Sequence, residues 1–132
     1  MKRIKTQLYP LGMLALLLGL SACSSLRTAT ERPPTVAALG ALEEVQTAYQ
    51  AGRYGEVILY VARSDDLDQA PASVKIPALK LQAFSYCVSN YLQLCEDAFA
   101  RILAIDPGFE LKPAEIGHPI WGPAYQRAKQ AI

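Results

Sequence analysis

The sequence is poor in the residues that most often carry chemistry. It has one histidine, His118, one tryptophan, Trp121, and three cysteines in 132 residues. His118 is set between Gly117 and Pro119. A lone histidine works as a general base only with partners, and although Glu115 is close in sequence, no nucleophile motif accompanies it. The reading favoured for His118 is a ring that packs or hydrogen-bonds in a rigid turn. Gly-x-Ser-x-Gly, His-Glu-x-x-His, a phosphate-cradling glycine loop and a calcium loop are all missing. Asp65, Asp66 and Asp68 form a small acidic turn, read as a solvated loop with calcium binding as the alternative. These absences argue against an enzyme, and no cofactor or metal is expected. Past residue 22 there is no Lys/Arg-rich run, so nothing supplies the electrostatic footprint of nucleic-acid binding. The apolar stretch Leu11–Leu20 is also too short to cross a bilayer, since a helix needs about 20 residues for a core of ~30 Å.

What is present begins at the N-terminus. Lys2, Arg3 and Lys5 precede that stretch, and Leu20-Ser21-Ala22-Cys23 closes it. The arrangement resembles a bacterial lipoprotein signal, with residues 1–22 removed and Cys23 acylated, palmitate among its chains. One acyl chain binds a bilayer reversibly, with a constant near ~10⁴ M⁻¹, whereas two or more make the attachment lasting. Ser24 follows the cysteine. In the sorting pattern of enteric bacteria an Asp there retains a lipoprotein in the inner membrane, so Ser24 points to the inner leaflet of the outer membrane, facing the periplasm. Residues 23–35 form an acylated tether, polar with two prolines, whose segment Ser24–Thr35 reaches up to ~40 Å when extended. The chain beyond residue 22 has 10 basic and 12 acidic residues, close to neutral.

Residues 36–132 read as an all-α domain. Leu39, Leu42, Val45 and Tyr49 share one helical face, with Thr35 as N-cap and Gly52 just past the end. Tyr54, Val57, Ile58 and Val61 form the face of a second helix ending near Ser64, and residues 65–71 form a polar connection. A third helix starts near Ser73 to Pro77, with the proline tolerated in a first turn. It carries Leu79, Ala83, Phe84, Cys87 and Val88 and ends around residues 88–90. A fourth runs from about Leu92 to Ile105, with Leu92, Cys95, Phe99, Ile102 and Leu103 on one side, and Asp106-Pro107-Gly108 stops it. Pro123 suits the first position of a final helix, on which Tyr125 and Ala128 continue a capping face. Ile120 and Trp121 look like plugs for the open end of the second hairpin.

Two antiparallel hairpins follow from this order. Cys87 and Cys95 flank the second turn, where neighbouring helices approach closely enough for a bridge. In an exported chain an even pair favours a disulfide, with two separate buried thiols as the alternative. The turn Gly52-Arg53-Tyr54 and the Asp106-Pro107 stop resemble tetratricopeptide repeats. The match is degenerate: Val57 stands where the repeat has Ala, and the second turn lacks its Gly. The resemblance implies two repeats over residues 37–107 that expose a peptide-binding face. Tyr49, Tyr54, His118 and Trp121 are the candidate partner-binding or capping residues.

The block from Ile105 to Pro123 contains Asp106-Pro107, Phe109, Leu111, Pro113, Glu115, His118-Pro119 and Trp121. Together with the Cys23 motif, the two hairpins and the cysteine pair, it resembles the TssQ family of lipoproteins associated with the type VI secretion system. That resemblance implies a lipid-anchored accessory protein working through contacts with envelope or secretion-system proteins. A pilotin or assembly factor for pili, secretins or outer-membrane proteins fits the same features.

Overall fold

A computed structural model describes residues 31–131, all-α with no strand among them. The expected signal segment 1–22, Cys23 and its acylation, and the tether up to residue 30 lie outside the described residues. Seven helices follow one another: α1 Val36–Gln50, α2 Tyr54–Arg63, α3 Asp65–Asp68, α4 Ala72–Val88, α5 Leu92–Ile105, α6 Pro113–Ile116 and α7 Trp121–Gln130. None of them is long and apolar enough to cross a membrane. The two hairpins are α1/α2 and α4/α5, and α7 packs on α5 and α4.

Helix α1 starts where Thr35 Oγ1 accepts the Ala38 N–H at 3.0 Å, satisfying one of the first-turn donors. Both hairpin turns close in the same way. The N–H groups of Gly52 and Arg53 donate to the carbonyls of Tyr49 and Ala48, and those of Asn90 and Tyr91 donate to Cys87 and Tyr86. This is the Schellman pattern, which places one residue in the left-handed region. Gly52 takes it at φ 70° and Asn90 at φ 66°. The glycine missing from the second turn is thus replaced by Asn, the side chain that best tolerates this backbone.

Helix α4 is central. Its residues 82–85 are all buried, so it is covered on every side, including two polar side chains, Gln82 and Ser85. Around it are two core clusters. One joins α1, α2, α3 and α4 through Ala38, Ala41, Val45, Ala48, Val57, Leu67, Val74 and Ala78. The other joins α4, α5 and α7 through Phe84, Phe99, Ile102, Leu103, Tyr125 and the Cys87–Cys95 disulfide, whose Cα atoms are 5.2 Å apart.

The structure corrects several expectations. Leu39 is exposed, because the buried stripe of α1 lies one residue over, on Ala38, Ala41, Val45 and Ala48. These small side chains let the backbone approach α4 closely, and no periodicity rule prefers them to Leu. Leu92 is exposed as well, at the very start of α5. Residues 65–71 are more than a polar loop: Ser64 Oγ caps the single turn α3 by accepting the Leu67 N–H, which aims Leu67 into the core. Helix α4 starts at Ala72, so Pro77 stands in its second turn rather than its first. The N–H missing at Pro77 frees the carbonyl of Ser73, which is exposed and therefore open to water. Pro123 is the third residue of α7, where its absent N–H is one of the unpaired first four in any case. Ile120 is exposed and plugs nothing.

Part of the tether has a fixed course. Residues 31–35 run beside the α3–α4 connection, and Glu31 Oε1 accepts the Ser73 N–H at 2.9 Å. Pro71, the residue in the N-cap position of α4, offers no side-chain acceptor. Glu31 supplies one from a distance in sequence, with a charge that suits the positive end of the helix.

Candidate functional site

The four candidate aromatic and imidazole residues lie in one row. Tyr54 meets Tyr49 edge-on with ring centroids 5.5 Å apart, and Tyr49 lies 6.4 Å from Phe84. Phe84 stacks on Trp121 at 4.3 Å, and Trp121 stacks on His118. Residues from α2, α1, α4, α7 and the α6–α7 turn are thereby joined across the molecule. Phe84 is the junction, since it also meets Phe99 edge-on at 6.1 Å. Such pairs add about 0.5 to 1.5 kcal/mol each beyond their buried area. The row is therefore structural: Phe84 is buried and the other members are half-buried.

His118 ends the row, stacked on Trp121. Its Nδ1 accepts the Ile120 N–H at 3.2 Å, and its backbone carbonyl accepts the Gly122 N–H. The first bond assigns the neutral ring its proton on Nε2. Gly122 is needed beside it, because a Cβ there would collide with the carbonyl of Ile116.

Glu115 is the tie that holds this region down. One carboxylate oxygen accepts Lys80 Nζ at 2.6 Å, and the other accepts the Lys112 N–H at 3.0 Å at the start of α6. Its backbone carbonyl accepts Trp121 Nε1 at 2.9 Å. Burial pushes the Glu115 carboxyl up, but the hydrogen bonds from Lys80 and from the Lys112 N–H outweigh it and hold the group below its ordinary value. Lys80 also sits 5.7 Å from the centroid of the Phe84 ring.

Beside the row a groove opens between α1 and α4, with a volume of about 510 Å³. Helix α1 contributes Gln46, Tyr49 and Gln50, and α4 contributes Ile76, Pro77 and Lys80. The α5–α6 connection closes one side with Phe109 and Lys112. Among the described residues no carboxylate lines it and its charge comes from two lysines, one of them paired with Glu115. Burial, then the neighbouring Tyr54 and Glu115, push the Tyr49 phenol up, so it stays neutral and able both to donate and to accept. Apolar floor, amide and phenol rim and cationic wall suit reversible recognition of a chain segment. Among the described residues no cluster of His, Cys, Asp or Glu is placed to hold a metal.

Tyr49 lines the groove directly. Tyr54, Trp121 and His118 support the row behind it and do not line it. Sequence reasoning missed Lys80, Lys112 and the central position of Phe84. The i, i+4 spacing of Lys80 and Phe84 was a usable signal, as was Lys112-Pro113 with Glu115 two residues on, which marks a helix start. No protein family, curated protein or solved structure matches this chain.

Proposed function

We propose that this protein is an outer-membrane lipoprotein that faces the periplasm and acts as a protein-binding adaptor, an accessory component of a type VI secretion system. It is not an enzyme in this reading. Its two hairpins are degenerate tetratricopeptide-like repeats, a description supported by their identical turns at Gly52 and Asn90. The observation that carries the adaptor role is the groove between α1 and α4, on the face where such repeats receive a partner segment. The Cys23 motif supports the membrane attachment, and the Ile105–Pro123 block supports the secretion-system association. That block also forms one wall of the groove through Phe109 and Lys112.

Photo-crosslinking residues placed at Gln46 and Gln50 in living cells test the reading. Crosslinks to sheath, baseplate or envelope proteins of a contractile machine are the expected outcome. Crosslinks to pilus or secretin proteins would replace it with a pilotin role, and the absence of any crosslink from both positions would remove the groove from the account. Replacing Cys23 by Ser should release the protein from the membrane fraction. Retention there would overturn the lipid anchor.

A further inference from the structure

On the other side of α4 lies a second hollow that the adaptor reading does not use. It opens between α2 and α5, with α4 as its floor and α3 at one end, and has a volume of about 330 Å³. That is at the small end of the range for ligand pockets. Val61, Leu67, Ala78 and Leu79 make an apolar floor, and Ala104 stands on the rim. The remaining charged groups are Lys75, Asp68 and Arg101.

Two of these charges satisfy each other. Lys75 Nζ donates to the Asp68 carboxylate at 2.9 Å and to its backbone carbonyl at 2.6 Å. Arg101 is different. It has no carboxylate within ion-pair distance among the described residues. One of its guanidinium nitrogens donates to Gln82 Oε1 at 2.5 Å. Gln82 is 1% exposed, and its Nε2 donates to the Ile58 carbonyl at 3.0 Å. Both ends of the amide are thus committed, one to α2 and one to α5. A reversed amide would set two donors against the guanidinium, so the orientation is fixed. The buried Gln82 therefore holds one guanidinium nitrogen of Arg101, an exposed side chain that lines the hollow, and the other N–H donors of the fork have no protein acceptor among the described residues.

We propose that this hollow binds a monocarboxylate on an aliphatic tail, with the carboxylate on Arg101 and the tail over Val61, Leu67 and Leu79. A planar guanidinium matches a carboxylate with two parallel hydrogen bonds. Among the described residues lining the hollow Arg101 is the one cation without a carboxylate partner, which suits a single negative charge, because Lys75 is already paired with Asp68. The chemistry can come from a free fatty acid or from the C-terminal residue of a chain with an apolar last side chain.

The test uses the full chain carrying Cys23→Ser, titrated with decanoate below its micelle concentration and, separately, with N-acetyl-leucyl-leucine. Amide NMR shifts give the affinity. Saturable shifts at the end of α2, in α3, at the start of α4 and at the end of α5 are expected with at least one acid. Binding should weaken tenfold or more in Arg101→Gln. It should be lost in Ala104→Trp, which fills the rim from an exposed position and leaves Arg101 in place. Decylamine and N-acetyl-leucyl-leucinamide should leave these amides unmoved. The acid that saturates at the lower concentration identifies the source. Wild-type amides unmoved by both acids, equal binding in both variants, or equal binding of the uncharged and cationic controls would each overturn the proposal.

Discussion

The two hairpins share a turn and differ in nearly everything behind it. In α1/α2 the core is alanine and valine, with Leu67 borrowed from α3. In α4/α5 it is aromatic, joined by Tyr125 of α7 and cross-linked by the disulfide. Tyr49 and Val57 stand at the same distances from Gly52 as Cys87 and Cys95 stand from Asn90. Where the second hairpin has a covalent bond, the first has a half-buried phenol against an edge of Tyr54 and a buried valine. Two helical repeats alone are fewer than a solenoid normally needs. The difference shows how a short array is stabilised: one unit carries a dense, stapled core, and the other leans on it through α4. The groove lies at the seam of the two units, with α1 of the lighter one as a single wall.

The strongest way to break this comparison is Phe99→Ala. It removes a fully buried ring that touches both Phe84 and Tyr125, and it should cost about 3 to 5 kcal/mol in a urea melt. Both hairpins should unfold together, since α4 belongs to both cores. A surviving α1/α2 signal would show that the first hairpin does not lean on the second. Next comes the disulfide. Reducing it, or replacing Cys87 and Cys95 with Ala, should lower stability by about 2 to 3 kcal/mol in the chain-entropy account. Mass spectrometry without reductant should find the two residues joined, and two alkylatable thiols would refute the staple.

A smaller effect sharpens the comparison of the turns. Gly52→Ala should cost about 1 kcal/mol, because an L side chain is strained at φ 70°. Asn90→Gly should gain a few tenths to about 1 kcal/mol by relieving the same strain. If the two melts move in the same direction, the turns are not equivalent. The smallest effect is a pH dependence. The folded state lowers the Glu115 carboxyl below its unfolded value, so the stability it adds is present above that value and is lost as pH falls through the folded one. Asp68 and Glu110 are lowered as well, each first by a lysine hydrogen bond. Urea midpoints should fall between pH 5 and pH 3, and less steeply in Glu115→Gln.

The long helices were legible because their ends carry local signals: Thr35, Gly52 and Asp106-Pro107 act on neighbours within one turn. The all-α class and the antiparallel order followed from them. The choice of buried face on α1 was not legible. Leu39 and Ala38 lie on adjacent stripes, and only the closeness of α4 selects the alanines. The short helices were missed for a related reason, since one turn has no period to detect. The row of rings was legible in its members but not in its order. Phe84 joins them through contacts that are distant in sequence. Tyr125 is fixed in the same way outside the row, with its hydroxyl donating to the Phe109 carbonyl at 2.8 Å and lying 3.0 Å from Glu110. The groove depends on the α5–α6 connection folding back beside α4, which no local pattern encodes.

The bond between Glu31 and the head of α4 has a mechanical meaning. Any tug arriving from the N-terminal side meets two load paths at residue 31: the covalent one into α1, and a hydrogen-bonded shortcut to α4. The shortcut leads to the head of the most deeply embedded helix. While that latch holds, α4 shares the load with α1; once it slips, the whole load falls on α1, whose alanine-rich seam would peel and take one wall of the groove with it. A domain rigged in this way yields first at the latch, and its grip on whatever fills the groove loosens only after that.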